Sequence, residues 1–219
     1  MANRTTLIIA RHGNTFLPDE TPRRVGARTD IDLVPSGLLQ AEQLGQYLHQ
    51  FHLRPDHIIS APLKRTRQTV TRAFPNRVFN IDERLREIDY GPDEGLEEDL
   101  VRARIGEQAL HDWEHHATVP EGWQVDPATI ITDWHDIAAE TLNNRPSKIT
   151  LIVTSNGTAR FAPHITHDFD GFKRDFPLKL ATGALGILTY QPESKAWRVQ
   201  DWNIRPKDHI TLNKETAAH

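Results

Sequence analysis

The chain has 219 residues, a formal net charge of −4 and no cysteine. The length fits one domain with an ordinary core, and the missing cysteines exclude disulfides, thiolate zinc sites and a cysteine nucleophile. The small negative charge favours neither nucleic acid nor a membrane surface, and no apolar run approaches the roughly 20 residues of a spanning helix. We therefore expect a cytoplasmic protein whose anion site is local.

In the first half of the chain, short apolar runs alternate with segments of helical periodicity. The first apolar run suits a parallel strand buried on both faces, and the Pro-rich stretch after it predicts a long loop. The predicted elements are a strand at Thr6–Ala10, a helix capped by Ser36 and running to about Phe51, a strand at His57–Ser60, a helix over Leu63–Ala73 with Pro62 at its first position, and a weak strand at Val78–Ile81.

The second half continues the alternation after an acidic, glycine-containing stretch over 83–98, which predicts a loop. Asp followed by Pro is a strong signal for the start of a helix. The predicted elements are helical segments over 99–116, a helix beginning at Asp126 and Pro127, a buried strand at Ile149–Thr154, a short helix near Gly157, and late, possibly antiparallel strands at Ala184–Tyr190 and Trp197–Trp202.

Strands that alternate with helices predict an α/β fold, here a three-layer sandwich with a mostly parallel central sheet and helices on both faces. Ligands of such sheets bind beyond the carboxyl ends of the strands. The residues that follow Ala10, Ser60 and Thr154 are therefore the first places to look for a site.

These strand ends carry the side chains that phosphoryl transfer needs. Arg11 and His12 follow the first strand, Arg65 lies shortly after the second, and Asn156 follows the strand at 149–154. Arginine forks match phosphate oxygens. A neutral imidazole can attack phosphorus when its other nitrogen donates a hydrogen bond that fixes the tautomer, and flanking arginines disfavour the charged ring. Glu87 offers a carboxyl group that can protonate a leaving oxygen.

The sequence resembles the histidine phosphatase superfamily, which carries an Arg-His-Gly signature and includes the cofactor-dependent phosphoglycerate mutases. The resemblance rests on five ordered blocks that span nearly the whole chain. The blocks are LIIARHGNT, VGARTDIDLVPSGLLQAEQLGQYL, IISAPLKRTRQTV, RLREIDYGPDEGL and ALGILTYQPESKAWRVQDWN.

This resemblance implies a phosphoglycerate mutase-like fold and a role for each matched residue. His12 is the expected nucleophile, Glu87 the proton donor, and Arg11 and Arg65 hold the phosphate. No metal and no cofactor take part. We expect residues 1–219 to form a single domain in which 99–126 is a cap-like insertion over the site.

The chain departs from the family pattern at two phosphate contacts. Asn156 stands where the family has a histidine in Ser-His-Gly, and a loop asparagine found in many members is replaced by Pro18, or by Leu17. An asparagine donates a hydrogen bond but carries no charge. A charged hydrogen bond contributes on the order of 1.4 kcal/mol more stabilisation than a neutral one. In the transition state this difference corresponds to about a tenfold change in rate. We therefore expect Asn156 to bind phosphate in a slowed but active enzyme.

Other residues are candidates for substrate contacts but also have simpler structural explanations. Asn14, Arg24 and Gly157 are possible substrate contacts, although Asn156 followed by glycine is also common in tight turns. Arg28 is expected to be an ion-pair partner within the loop.

The histidines near the end of the 99–116 segment raise the possibility of a metal site. His111 and His115 are one helical turn apart, but the sequence offers no third ligand pattern nearby, so we expect these two and His116 to form a solvated helix face. Trp113 and Trp123 are expected to pack the cap or the core rather than to stack on nucleic acid bases.

Three functions fit the pattern. The first is a phosphomonoester hydrolase that acts on a small phosphorylated metabolite through a phosphohistidine. The second is a phosphomutase, which returns the phosphoryl group to another hydroxyl. The third is a phosphate-ligand binding or regulatory protein with low turnover, suggested by the two altered contacts. The residues do not specify the metabolite or the oligomeric state.

Overall fold

The structure is a computed structural model, and it describes residues 4–210. Within that range six strands form one sheet, and six α-helices and four 3-10 turns surround it. The strands are β1 (Thr6–Arg11), β2 (His57–Ser60), β3 (Asn80–Ile81), β4 (Ile149–Thr154), β5 (Leu185–Gln191) and β6 (Ala196–Ile204). The helices are α1 (Pro35–Gln50), α2 (Lys64–Ala73), α3 (Glu98–His116), α4 (Pro127–Asn144), α5 (Asn156–Ala159) and α6 (Phe169–Asp175). The 3-10 turns are Glu83–Leu85, Gly91–Asp93, Ala162–Thr166 and Pro206–Asp208.

The strand order is β3-β2-β4-β1-β5-β6. The first four strands in this order pair in parallel, and β5 and β6 add an antiparallel edge. The predicted α/β class, the mostly parallel sheet and the antiparallel late strands are all confirmed. The carboxyl ends of β1, β2 and β4 lie side by side, which brings the segments after all three strands to one edge of the sheet.

The sheet is covered on both faces by apolar side chains. Along β1, Leu7 and Ile9 pack in one cluster with α3, α4 and α6, whereas Ile8 and Ala10 pack in the other with α1 and α2. This alternation follows from the two-residue period of a strand. It explains why the run is apolar throughout and confirms the three layers. In the range 4–210, none of the helices combines the length and the apolar character that crossing a membrane requires.

Several predicted helix ends were wrong by one or two residues. Helix α1 begins at Pro35 after an extended Val34, so Ser36 lies in the first turn and is not the cap. Its hydroxyl oxygen instead accepts a hydrogen bond from Asn14 Nδ2 at 3.2 Å. Proline serves at the start of a helix because its missing N–H is not needed there.

Helix α2 and strand β3 are shorter than predicted. Helix α2 begins at Lys64 after an extended Leu63, so Pro62 precedes the helix. Strand β3 contains only Asn80 and Ile81. Val78 is 89% exposed, and because it packs against nothing it adds no residue to the strand.

The segment between β3 and β4 contains more regular structure than the sequence predicted. The stretch 83–98 holds two 3-10 turns, and α3 is broken at Gly106, whose φ of 84° no helix allows. The predicted start of α4 is confirmed, since Asp126 Oδ1 accepts a hydrogen bond from the main-chain N–H of Ala128 at 3.0 Å.

Two glycines allow the loop after β1 to lie directly against α1. A Cβ atom on Gly37 would overlap the main-chain oxygen of Asn14, and one on Gly13 would overlap the carbonyl of Gly37. The N–H of Val34 donates to the same Asn14 oxygen at 3.1 Å. Close backbone approach therefore fixes the segment that carries His12.

Replacing Gly37 with alanine should destabilise the fold. Because the added methyl group meets backbone rather than a flexible side chain, we expect Gly37→Ala to lower the free energy of unfolding by about 1–3 kcal/mol, measured by urea denaturation. Leu39→Ala on the same helix, where the side chain is 51% exposed, is the control and should change it by less than about 0.5 kcal/mol. Equal losses in the two variants would contradict the packing argument.

Candidate active site

His12 lies directly after β1 and is only 5% exposed. Its Nδ1 is 2.7 Å from the main-chain oxygen of Gly13. A carbonyl oxygen can only accept, so Nδ1 carries the proton and Nε2 keeps its lone pair in the neutral ring. Burial, followed by the charges of Arg65 and Arg11, holds the pKa of His12 well below its usual range. The ring is therefore neutral at physiological pH, with the lone pair of Nε2 free.

Arg65 is fully buried in the first turn of α2. Its Nη1 donates to the main-chain oxygen of Thr29 at 2.7 Å and its Nη2 to that of Gly26 at 3.3 Å. The long loop between β1 and α1 thus orients the guanidinium. Within residues 4–210, neither Arg65 nor Arg11 has a carboxylate oxygen within 4.0 Å. Arg65 is buried and Arg11 is partly buried, and two guanidiniums without a carboxylate contact are suited to binding an anion.

Arg11 and Asn156 are held by the two polar groups of a single residue, Leu180. Arg11 Nη1 donates to the Leu180 oxygen at 2.8 Å, and the Leu180 N–H donates to Asn156 Oδ1 at 2.9 Å. Because an N–H must meet an acceptor, this contact fixes which way the amide points. The Asn156 Nδ2 group is then directed away from Leu180 and is available to donate to a ligand.

Glu87 is buried against the start of α5. Its Oε2 accepts from the N–H of Gly157 at 3.2 Å, and its Oε1 accepts from Thr158 at 3.1 Å and from Ile88 at 2.9 Å. A Cβ atom on Gly157 would overlap the Glu87 carboxylate. Glu87 therefore contacts the segment after β4. A glycine is needed at position 157 because a larger residue would collide with this carboxylate.

The remaining predicted residues have other partners. The Asn14 side chain is hydrogen-bonded to the hydroxyls of Ser36 and Thr182, so it ties the loop to neighbouring segments. Arg28 forms an ion pair with Glu94 at 3.4 Å, as expected for a loop residue.

Arg24 lies beside the segment that contains Glu87 and Tyr90. Its Nη2 donates to Glu98 at 2.7 Å, and its guanidinium lies 5.4 Å from the ring centre of Tyr90 and 5.2 Å from that of Trp123. Tyr90 is buried, and burial together with Glu87 raises its pKa to about 12. The phenol is therefore a neutral donor at this side of the site.

Sequence analysis missed Arg160, which follows Asn156 by four residues. Arg160 is 2% exposed, and its guanidinium stacks 3.7 Å from the ring centre of Trp113. Trp113 and Trp123 are buried, as expected, and meet edge to face at 5.1 Å. The position of Arg160 within a strand-end segment could have suggested a ligand role, but nothing in the sequence indicated its burial.

The histidines of α3 have a third potential ligand that the sequence analysis overlooked. His111 and His115 stack at 4.2 Å on the surface. Ligand atoms of His111, Asp112 and His116 lie within 4.8 Å of one another. The Asp112 carboxylate follows His111 directly and precedes His116 by four residues, so helical spacing could have indicated it. Because two of the three groups are exposed, the cluster is hydrated without requiring an ion.

Together the fold and the site define an α/β protein that places two guanidinium groups beside a neutral histidine at the carboxyl edge of its sheet. The family model for the histidine phosphatase superfamily (branch 1) matches residues 7–205. The chain belongs to that superfamily, as the resemblance of its sequence blocks implied.

Known relatives include both mutases and phosphatases. A 2,3-bisphosphoglycerate-dependent phosphoglycerate mutase of Mesorhizobium japonicum is 27% identical over 86% of this chain and 94% of its own length. A similar mutase of a Methylobacterium species, 30% identical, matches over 52% of this chain and 56% of its own length.

Solved structures share the fold at lower identity. A mycobacterial glucosyl-3-phosphoglycerate phosphatase superposes with a TM-score of 0.74 at 20% identity, covering 91% of this chain and 99% of that one. A phosphoserine phosphatase of Entamoeba histolytica gives a TM-score of 0.72 at 18% identity, covering 91% and 96%. These likenesses confirm the phosphoglycerate mutase-like architecture.

The depressed pKa of His12 predicts a pH-dependent stability. Below pH 6.5, the ordinary value for histidine, the unfolded chain binds a proton at His12 that the folded chain does not bind. The free energy of unfolding should therefore fall as the pH drops below 6.5, by up to about 1.4 kcal/mol per pH unit from this residue. Above 6.5 the residue contributes no slope.

Urea denaturation between pH 7 and pH 5.5 checks this expectation. The slope should be smaller in His12→Gln than in the wild type, and His49→Gln, at an exposed position on α1, controls for loss of an imidazole. In NMR spectra the His12 ring should keep its neutral-form shift through pH 6.5. A ring that titrates there would contradict the assignment.

Proposed function

We propose that the protein is a phosphomonoester hydrolase that works through a phosphohistidine on His12. The observation that carries this proposal is the neutral imidazole of His12 beside the buried guanidinium of Arg65 and the partly buried guanidinium of Arg11. Among residues 4–210 neither arginine has a carboxylate oxygen within 4.0 Å. A phosphate dianion supplies the missing charge and brings phosphorus next to Nε2. Positioning and electrostatic stabilisation are the main needs of phosphoryl transfer.

In the first step His12 Nε2 attacks phosphorus and the bond to the ester oxygen breaks. Glu87 gives its proton to the departing oxygen. In the second step water attacks phosphorus, Glu87 takes the proton of the water, and the bond to Nε2 breaks. The products are an alcohol and phosphate, and His12 is neutral again.

The proposed substrate is a small phosphorylated metabolite, with the 99–126 segment as a cap over the site. Trp113 and Trp123, which belong to this segment, pack against Arg160 and Tyr90 and so lie on the Glu87 side of the site. No step uses a metal or a cofactor, so turnover should survive dialysis against a chelator.

A mutase is the second candidate, because the mutase of M. japonicum aligns with most of the chain. The two functions share the phosphohistidine and differ in whether water or another hydroxyl receives the phosphoryl group. Incubation with a labelled bisphosphorylated primer separates them, since a hydrolase releases free phosphate and a mutase labels a second phosphoester.

Acid-quench trapping tests the proposed intermediate. With a 32P-labelled phosphomonoester, the wild type should carry an acid-labile label at His12, and His12→Gln should carry none. Loss of the general acid in Glu87→Gln should slow turnover by about 10²–10⁴-fold. His135→Gln is the control for a histidine elsewhere. Full turnover in His12→Gln would end the proposal, and tight phosphate binding without turnover in the wild type would favour a binding or regulatory protein.

Restoring the family histidine tests the role of Asn156. The imidazolium form of a histidine adds a charged donor to the phosphate, but with a proton on both nitrogens it no longer accepts the Leu180 N–H. We expect the added charge to outweigh the lost contact, so that Asn156→His raises kcat by up to about tenfold. Asn144→His at the exposed end of α4 should leave kcat unchanged. A fall in kcat for Asn156→His would show instead that asparagine is adapted to the substrate of this enzyme.

A further inference from the structure

The end of α3 carries a group of side chains with metal-ligand atoms that the proposed hydrolysis does not use. It consists of His111, Asp112 and His116, here called the histidine–aspartate cluster. One ligand atom from each of the three residues lies within 4.8 Å of the other two. Both histidines are exposed and the aspartate is half-buried, so an ion can reach all three from solvent.

The helix itself brings these side chains together. Residues four apart are neighbours on a helix surface, which places Asp112 beside His116. His111 directly precedes Asp112, and its ring completes the group. Trp113 follows Asp112 in the same turn and is only 1% exposed, so this turn presents the cluster to solvent and the indole to the core. The three ligand atoms therefore converge only while the end of α3 is helical.

Neighbouring side chains orient two of the three ligands. Gln108 Nε2 donates to Asp112 Oδ1 at 2.9 Å and so holds the carboxylate in place. The ring of His115 stacks on that of His111 with the ring centres 4.2 Å apart. Nδ1 of His115 also lies 3.0 Å from the main-chain oxygen of His111. Outer contacts of this kind orient metal ligands and strengthen metal binding.

The position of the cluster in α3 also favours a cation. The helix ends at His116, and the last turn of a helix has carbonyl oxygens whose partial negative charge attracts cations. The Asp112 carboxylate adds a full negative charge. Two imidazole nitrogens and one carboxylate oxygen are a ligand set that suits Zn²⁺. Mg²⁺ and Ca²⁺ prefer oxygen ligands alone, so the same set discriminates against them.

We propose that the histidine–aspartate cluster binds a divalent transition-metal ion, Zn²⁺ in particular, with water in the remaining coordination positions. The fold does not require this ion, and the ion takes no part in the chemistry at His12. It joins side chains from successive turns and so stabilises the end of α3, the part of the helix that carries Trp113. Because the site lies outside the phosphate cradle, the inference stands or falls independently of the proposed hydrolase function.

Calorimetric titration of the chelator-treated protein with Zn²⁺ tests the proposal. We expect the wild type to bind Zn²⁺ at one site of highest affinity and to show no binding of Mg²⁺ at the same concentrations. Loss of an outer contact typically weakens metal binding about 10–100-fold. Loss of a ligand in His116→Gln or Asp112→Asn should therefore weaken Zn²⁺ binding at least about tenfold, and His115→Gln should weaken it less than either. Absence of Zn²⁺ binding in the wild type would end the proposal.

Histidines elsewhere provide the matched controls. His167 stacks on His135 at 4.9 Å in a separate group, so His167→Gln should leave the affinity for Zn²⁺ unchanged. His12→Gln should do the same if the ion is distinct from the phosphate cradle. A loss of affinity in either variant that is as large as the loss in His116→Gln would assign the ion to another site and overturn the proposal.

Thermal unfolding connects the ion to the end of α3. A ligand that binds only the folded chain raises its melting temperature, so saturating Zn²⁺ should raise the Tm of the wild type and leave that of His116→Gln unchanged. Circular dichroism without metal should show the same helix content in both proteins, because His116 is exposed. An equal rise in Tm in the two proteins would show that the cluster is not the site.

Discussion

The site depends on two guanidinium groups, the buried one of Arg65 and the partly buried one of Arg11, that have no carboxylate contact among residues 4–210. Arg11 and Arg65 are oriented by main-chain oxygens, which are dipoles and cannot cancel a full charge. Their positive charges, together with burial, keep the His12 ring neutral. The site around the ring therefore carries an excess of positive charge. In the proposed mechanism, the same excess of positive charge that disfavours the imidazolium also attracts the phosphate that the imidazole attacks. Burying these charges lowers the stability of the fold. The apolar packing on both faces of the central strands offsets that loss.

Part of this arrangement could be predicted from the sequence, because parallel strands impose a simple geometry. The ends of β1, β2 and β4 must meet at one edge, so Arg11, Arg65 and Asn156 could be expected to lie near each other. The buried runs were predicted nearly to the residue for the same reason, since a strand covered on both faces is apolar throughout. Helix starts were less certain, as at Ser36, because proline and a cap residue side by side allow more than one first turn.

The rest of the site depends on contacts that sequence patterns do not encode. Leu180 contributes only main-chain groups, which are the same in every residue, so no pattern could indicate that it holds both Arg11 and Asn156. Arg160 resembles any helix-flanking arginine until Trp113, far away in sequence, is seen to cover it. Such long-range packing is set by the tertiary fold. Asp112 on α3 is a different case, because it precedes His116 by one helical turn and the sequence therefore did contain the signal for a third potential ligand.

The Leu180 contact changes how the departure at position 156 should be understood. In the proposed mechanism a side chain there has two tasks, which are to accept the Leu180 N–H and to present a donor to the phosphate. Asparagine has one acceptor and one donor group on a single planar amide, so it fulfils both. It fixes Leu180, and through the Leu180 oxygen it also fixes the guanidinium of Arg11. Replacement by a residue that lacks an acceptor would therefore disturb a cation as well as remove a donor, and the loss would exceed that of one neutral hydrogen bond. On this view Asn156 keeps the geometry of the cradle intact and gives up only the charge of the histidine it replaces.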